Sequence, residues 1–365
     1  MTSRPPTVRH PYVGLPDRQF WKNEPGIAKP HVFDPVSAVP FQITKTQKVV
    51  TAGSCFAQHV ARNLTASGFN HHITETAHPM FQRALAEKFN YGLFSARYGN
   101  VYTARQFLQL LHRAFGLFKP VAQSWQKDAG GRVVDPFRPQ IQPDGFVSAE
   151  ELLTDQVEHF AAVRRAIVEM DVLVFTLGLT ECWEDRRDGA IFPLAPGVAG
   201  GVYDPDMVRF RNFDEVETSA DLIAALTFVR SYNPTVKIIL TVSPVPLNAT
   251  MENRHVFEST TWSKAVLRIA AEKAKQALTD CAYFPSYEII TSPHVRGRYF
   301  GADCREVLPE GVGHVMRLFF KHFAGIDNRL AAPKLVPETP DKHLAALEKQ
   351  FAVQCDEEAI SNKCH

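Results

Sequence analysis

Lys48-Val49-Val50-Thr51-Ala52-Gly53-Ser54-Cys55-Phe56-Ala57 opens with a short β-rich run, breaks at a glycine, and continues to Leu64 with apolar residues Phe56, Val60 and Leu64 at helical spacing. The pattern is a strand, a tight turn and a helix. The same kind of unit recurs downstream. Asp171-Val172-Leu173-Val174-Phe175-Thr176-Leu177 follows a long helical pattern over 149–170, and Val236-Lys237-Ile238-Ile239-Leu240-Thr241-Val242 follows another over 220–231. Such continuous apolar runs suit parallel strands buried on both faces. A further helical pattern over 261–278 leads to an apolar segment at 283–290, and 310–323 reads as the last helix. Strands alternating with helices predict a three-layer α/β/α fold with a mainly parallel sheet joined by right-handed crossovers.

Around this core, residues 1–45 carry eight prolines together with Tyr12, Phe20, Trp21 and Phe33, a composition that favours an extended arm over a helix. Residues 74–148 have helical and loop character, with a helix over 102–115, and read as an insertion or cap within a domain spanning 46–325. Beyond 326 the chain meets Pro333, Pro337 and Pro340, has a short helical pattern at 342–351, and ends in a polar run, which predicts a peripheral tail.

The chain has 365 residues, 45% hydrophobic and 22% charged, which is ordinary for a soluble globular protein, and it holds no run of some 20 apolar residues of the kind a membrane span needs. Its formal net charge of +1 lacks the basic excess expected of a phosphate-backbone binder, so nucleic acid is not an expected partner. The six cysteines include no CxxC spacing, so neither a zinc site nor another metal is expected. No glycine-rich phosphate loop is present, so no nucleotide cofactor is expected. The first twenty residues lack the apolar segment of a secretory signal, which predicts a cytoplasmic location with reduced thiols.

Ligands of doubly wound sheets collect at the carboxyl ends of the strands. After the first strand, Gly53-Ser54-Cys55 puts a small residue, a hydroxyl and a thiol at a helix N-terminus, where free N–H groups and the helix dipole favour a thiolate or an oxyanion. In a plainly structural role, Ser54 would cap the helix and Cys55 would fill space.

Gly53-Ser54-Cys55-Phe56-Ala57 resembles the signature of the GSCFA family, which is related to the SGNH (GDSL-type) esterases and acyltransferases. The resemblance continues through Thr176-Leu177-Gly178-Leu179-Thr180-Glu181-Cys182-Trp183, Leu240-Thr241-Val242-Ser243-Pro244-Val245-Pro246-Leu247 and Tyr283-Phe284-Pro285-Ser286-Tyr287-Glu288. It implies a flavodoxin-like, SGNH-hydrolase-like sheet with an acyl-transfer site above the strand ends, acting on an acylated carbohydrate or another small ester. Aligning the Gly-Asp-Ser block of SGNH enzymes on Gly53 makes Cys55 the positional nucleophile, with Ser54 as the alternative. Thr180 stands where their oxyanion-binding asparagine stands, and Glu181 follows it. Gly99-Asn100 is the candidate for their second block. In the final Asp-x-x-His block, Asp303 is retained and Glu306 replaces the histidine. An ordinary triad is therefore missing. Within Asn253-Arg254-His255-Val256, His255 is the first replacement base; His59, one helical turn after Cys55, is second, and His314 and His294 rank lower. Asp303 or Glu306 would orient that imidazole, or would cap the start of the last helix and pair with Arg305 or Arg298. Loss of the histidine leaves a second class open, a non-catalytic binding protein that keeps the fold.

Overall fold

The structure, a computed structural model, describes residues 10–326 and 355–361; the helical pattern at 342–351 lies outside the described residues. Four parallel strands form the central sheet: β1 Val49–Gly53, β4 Val172–Leu177, β8 Lys237–Val242 and β9 Cys281–Phe284, in the spatial order β1-β4-β8-β9. The register pairs Gly53 with Thr176, Thr176 with Thr241, and Thr241 with Phe284, so the carboxyl ends of the strands finish level. Outside β1, a single parallel bridge joins Val49 to His71, and the Val49 N–H donates to the Asn70 carbonyl. That bridge stands where a full strand would complete the flavodoxin-like order 2-1-3-4-5.

Side chains alternate between two cores, as strands with period two require. Val50, Leu173, Phe175, Ile238 and Leu240 pack on one face, under helices α3 Ala104–Ala114, α4 Ala149–Glu169, α5 Glu215–Tyr232 and α6 Val256–Ala277. Val49, Val172, Val174, Ile239 and Phe284 pack on the other, against α1 Phe56–Ala66, α7 Ser286–Thr291 and α8 Pro309–Ala324. This is the three-layer α/β/α arrangement expected from the apolar runs. Among the described residues, no helix is long and apolar enough to cross a membrane.

Two regions differ from the sequence reading. The insertion carries α2 Arg83–Lys88 and α3, and also a hairpin of β2 Trp125–Gln126 with β3 Val133–Val134. Asp188-Gly189, Pro196-Gly197 and Gly200-Gly201, which suggest a flexible connection, a lid or a surface loop, lie in the turns of an antiparallel sheet that the sequence reading lacks, built of β5 Glu181–Asp185, β6 Ile191–Phe192 and β7 Val208–Asn212. Its strands are only two to five residues long and laced with cross-strand charges such as Arg211–Glu184 at 3.2 Å, so the alternation of Val208 and Phe210 with Arg209 and Arg211 is too brief to stand out. Within the proline-rich arm, the described residues from 10 onward run in short 3-10 turns, and Phe33 stacks on His294 at 4.6 Å.

Residues 355–361 also depart from expectation. Cys355, Asp356 and Glu357 are buried against the strand ends, ahead of a last helical turn, α9 Glu358–Ser361.

Candidate functional site

The turn between β1 and α1 can be made only by glycine. Gly53 has φ of +128°, and a Cβ there would lie 2.2 Å from the Thr176 carbonyl oxygen and 2.7 Å from the Thr176 nitrogen. The backbone of β4 thus presses directly on the turn, and the Ser54 N–H donates to the Thr176 carbonyl at 3.0 Å. Val101, just past Gly99-Asn100, donates its N–H to the Gly53 carbonyl at 2.8 Å, while the N–H groups of Gly178 and Leu179 both reach the Tyr102 carbonyl. Three segments far apart in sequence therefore converge on the turn. Gly53, Asn100 and Gly178 lie in these segments.

Ser54 and Cys55 are both buried, but they face different surroundings. Ser54 lies beneath Gly178, and its Oγ has no hydrogen-bond partner among the described residues. Cys55 stands at the start of α1 and shares a hydrogen bond with the thiol of Cys355. The first backbone bonds of the helix come from the N–H groups of Ala57 and Gln58, so those of Cys55 and Phe56, with no backbone acceptor among the described residues, are the orphan donors of a helix start.

Around the two thiols sit two cations that sequence reasoning passed over as site residues. Arg305 points its Nη2 at Cys355 Sγ (3.5 Å) and at a Glu357 carboxylate oxygen (3.2 Å). Lys264, on the inner face of α6 and 1% exposed, donates from Nζ to the Gly178 carbonyl at 2.7 Å. Burial lowers the Lys264 ammonium to about 8, against the pull of Glu357 and Cys55. The two thiols split in opposite directions. The hydrogen bond to Cys355, then burial, then the negative charge of Cys355 and Glu357 hold Cys55 well above the ordinary thiol range, while Arg305 opposes them. The hydrogen bond from Cys55 and the neighbouring guanidinium lower Cys355. Lys264 carries a legible signal, because it falls at i, i+3 and i+7 with Leu267 and Ala271 on the buried stripe of α6.

The remaining sequence candidates divide. Asn100 Nδ2 donates to Asp356 Oδ2 at 3.0 Å, so the second-block asparagine reaches the docked segment. Thr180 is 0% exposed and its hydroxyl proton goes to Asn212 Oδ1 at 2.7 Å, which leaves none for an oxyanion. Glu181 accepts the Thr250 hydroxyl at 2.6 Å and is raised by burial. It ties β5 to the loop that bears His255. The His255 ring is exposed, and its Nδ1 accepts the Phe257 N–H at 3.1 Å as the N-cap of α6. No histidine is among the groups that act most on Cys55. His59 is buried one turn along α1, edge-on to Phe56, and desolvation lowers it to about 4. His314 is engaged by Tyr299 and the Phe33 carbonyl, and His294 by Ser292. Asp303 is exposed and accepts the N–H groups of Arg305 and Glu306, each at 3.0 Å, the geometry of a loop cap. Among the described residues, no group of three or more His, Cys, Asp or Glu side chains is placed to hold a metal ion.

Comparison with known proteins gives one strong match. The profile of the GSCFA family matches residues 48–319. Solved structures that are similar at low identity include two esterases. A family 3 carbohydrate esterase of Clostridium thermocellum is 12% identical, over 79% of this chain and 100% of its own, with a TM-score of 0.33. The acetyl xylan esterase Est2A of the rumen bacterium Butyrivibrio proteoclasticus is 12% identical, over 78% of this chain and 65% of its own, with a TM-score of 0.31. No match was found among curated protein sequences.

Proposed function

The chain belongs to the GSCFA family, and from that premise we propose that it is an acyl-transfer enzyme, an ester hydrolase or O-acyltransferase, whose nucleophile is Cys55. The observation that carries this reading is the place of the thiol: at the start of α1, directly after the glycine-only turn that ends β1, beside orphan helix N–H groups and within the field of Arg305 and Lys264. A thiolate there attacks an ester carbonyl. The N–H groups of Cys55 and Phe56 receive the developing oxyanion, the alcohol leaves, and water or a sugar hydroxyl then releases the acyl group. Positive charge can favour a thiolate once the Cys355 contact that holds the Cys55 proton is released, whereas a serine hydroxyl needs a base within reach. Ser54, lying under Gly178 with its hydroxyl unpartnered, is the less suited of the two. An acylated carbohydrate or small ester is the substrate class that the resemblance to SGNH enzymes favours.

Burst kinetics with p-nitrophenyl acetate test the reading. Cys55→Ala is expected to abolish the burst and Ser54→Ala to retain it. A burst that survives in Cys55→Ala removes the thiol from the mechanism. A purified wild-type protein that hydrolyses no member of a panel of acyl donors and acylated sugars supports the alternative, a binding protein that keeps the fold.

A further inference from the structure

We propose that residues 355–357 are a removable plug on the Cys55 turn, which a disulfide between Cys55 and Cys355 locks in place. As a regulatory device the plug rests on the reading of Cys55 as nucleophile, but the thiol chemistry does not. The plug is held by a set of polar contacts. Besides the Arg305 contacts, Asn100 donates to the Asp356 carboxylate at 3.0 Å, Asn248 Nδ2 to the Glu357 carbonyl at 2.8 Å, and the Asp356 N–H to the Tyr102 hydroxyl at 3.1 Å. Tyr102 and Asn100 come from the segment that braces the Gly53 turn, so the plug seats on the same residues that shape the site.

Two carboxylates, Asp356 and Glu357, are 7% and 6% exposed, and burial raises the affinity of both for a proton. Seating two acids that resist burial makes the docked state one that can be left. Of the influences that hold the Cys55 proton in place, the hydrogen bond and charge of Cys355 and the charge of Glu357 all come from the plug. Undocking removes them and leaves Arg305 and Lys264 facing Cys55. The docked form is the unreactive one.

The lock follows from the contact between the two thiols. In the undocked chain, the Cys355 thiolate attacks a small disulfide such as oxidised glutathione, forming a Cys355–glutathione mixed disulfide and releasing one glutathione thiolate. When the segment docks again, Cys55 loses its proton to solvent and attacks Cys355 Sγ. The mixed disulfide breaks, the second glutathione leaves as thiolate, and the Cys55–Cys355 bond forms. Two thiols become one disulfide, and one oxidised glutathione becomes two reduced.

The test uses the full chain, a chain ending at residue 354, and Cys355→Ser. After exposure to oxidised glutathione, trypsin is expected to yield peptide 49–62 joined to peptide 350–363, each of which carries a single cysteine. Dithiothreitol separates them, and Cys355→Ser never forms the pair. At pH 7, iodoacetamide should label Cys55 at least about threefold faster in the truncated chain, the net effect of a one-unit fall in thiol pKa after the accompanying loss of nucleophilicity. Cys355→Ser should also label faster than the full chain. Peptide 49–62 joined instead to the peptide carrying Cys364, or left unpaired, overturns the lock. Labelling of Cys55 no faster in either variant overturns the plug. A chain that crosslinks and unmasks as expected but shows no acyl transfer refutes the catalytic reading alone.

Discussion

Lys264→Met gives the sharpest test of how the site is charged. The wild-type ammonium is fully buried, and burial lowers its pKa from 10.5 to about 8. Between those values the unfolded chain binds the proton that the folded chain has released, so stability rises with pH across that window. The destabilisation due to the buried charge is therefore fully present below pH 8 and relieved as pH approaches 10.5. The shift corresponds to about 3 kcal/mol at 1.36 kcal/mol per pKa unit. Methionine has a similar reach and no charge. Whatever it loses by leaving the Gly178 carbonyl without its donor, the stability of the variant relative to wild type should be about 3 kcal/mol more favourable at pH 7 than at pH 10.5. Urea unfolding of both proteins at the two pH values measures that change, and ionisations distant from the site cancel in the difference. On the proposed reading, acyl transfer by the variant falls by at least tenfold, the trade of stability for function expected of a buried charge kept for chemistry. A relative stability that stays constant within a few tenths of a kcal/mol between the two pH values refutes the argument, because the lysine would then titrate alike in the folded and unfolded chains.

Two further outcomes can be read from the turn and from the candidates the resemblance supplied. Gly53→Ala and Gly99→Ala both place a side chain at positive φ, which costs about 1–2 kcal/mol, but only at Gly53 does the new Cβ meet backbone, 2.2 Å from the Thr176 oxygen. Urea denaturation should find Gly53→Ala the less stable of the two by at least about 2 kcal/mol, and equal losses would show that β4 yields at little cost. His255→Asn keeps an N-cap acceptor for α6, and Asp303→Asn keeps a side-chain oxygen for the Arg305 and Glu306 N–H groups. Kinetic assays should find both within a few-fold of wild type with unchanged melting temperatures. A fall by orders of magnitude in His255→Asn would make that imidazole the base.

The layering of the fold was legible because period-two burial in a doubly covered sheet needs nothing but apolar residues. Val172 through Leu177 and Ile238 through Val242 are buried along their whole length, and the runs are visible without a partner in view. The antiparallel sheet at 181–212 was not legible, since its strands are only two to five residues long and the alternation of Val208 and Phe210 with Arg209 and Arg211, which meet Glu184 across the strands, is too brief to stand out. At the site, Gly53 was legible as the residue between a strand and a helix, and its positive φ with Thr176 in contact gives the reason. Arg305 was visible as a charge but not as a neighbour of Cys355, whose position depends on a long-range contact that no local pattern encodes. The polar sequence Cys355-Asp356-Glu357 reads as solvated tail because burial of acids is decided by Asn100, Asn248, Tyr102 and Arg305, all distant in the chain.

Two departures from the SGNH pattern, taken singly, each weaken the case for catalysis, but together they support it. In the alignment that the resemblance implies and the proposed reading adopts, Glu306 stands in place of the histidine that would take a proton from a serine nucleophile, and Cys55 stands in place of that serine. A serine hydroxyl without an imidazole is inert near neutral pH, because nothing nearby lowers its high pKa enough to form an alkoxide. A thiol needs only that its own, much lower pKa be brought toward neutrality, which nearby cations and a helix start can do. Arg305 and Lys264 are such cations, and α1 is such a start, once the Cys355 and Glu357 contacts that now hold Cys55 above the ordinary thiol range are removed. On the proposed reading, the exchange of serine for cysteine is what makes the lost histidine tolerable. The pairing of Cys55 with a glutamate at 306 is then one chemical solution and no longer two separate defects. Restoring one half alone is the discriminating perturbation: Cys55→Ser retains the shape of the turn but returns the need for a base, so its burst with p-nitrophenyl acetate should vanish as completely as that of Cys55→Ala. A Cys55→Ser protein that keeps most of the wild-type burst would mean that a base capable of serving a hydroxyl is present after all.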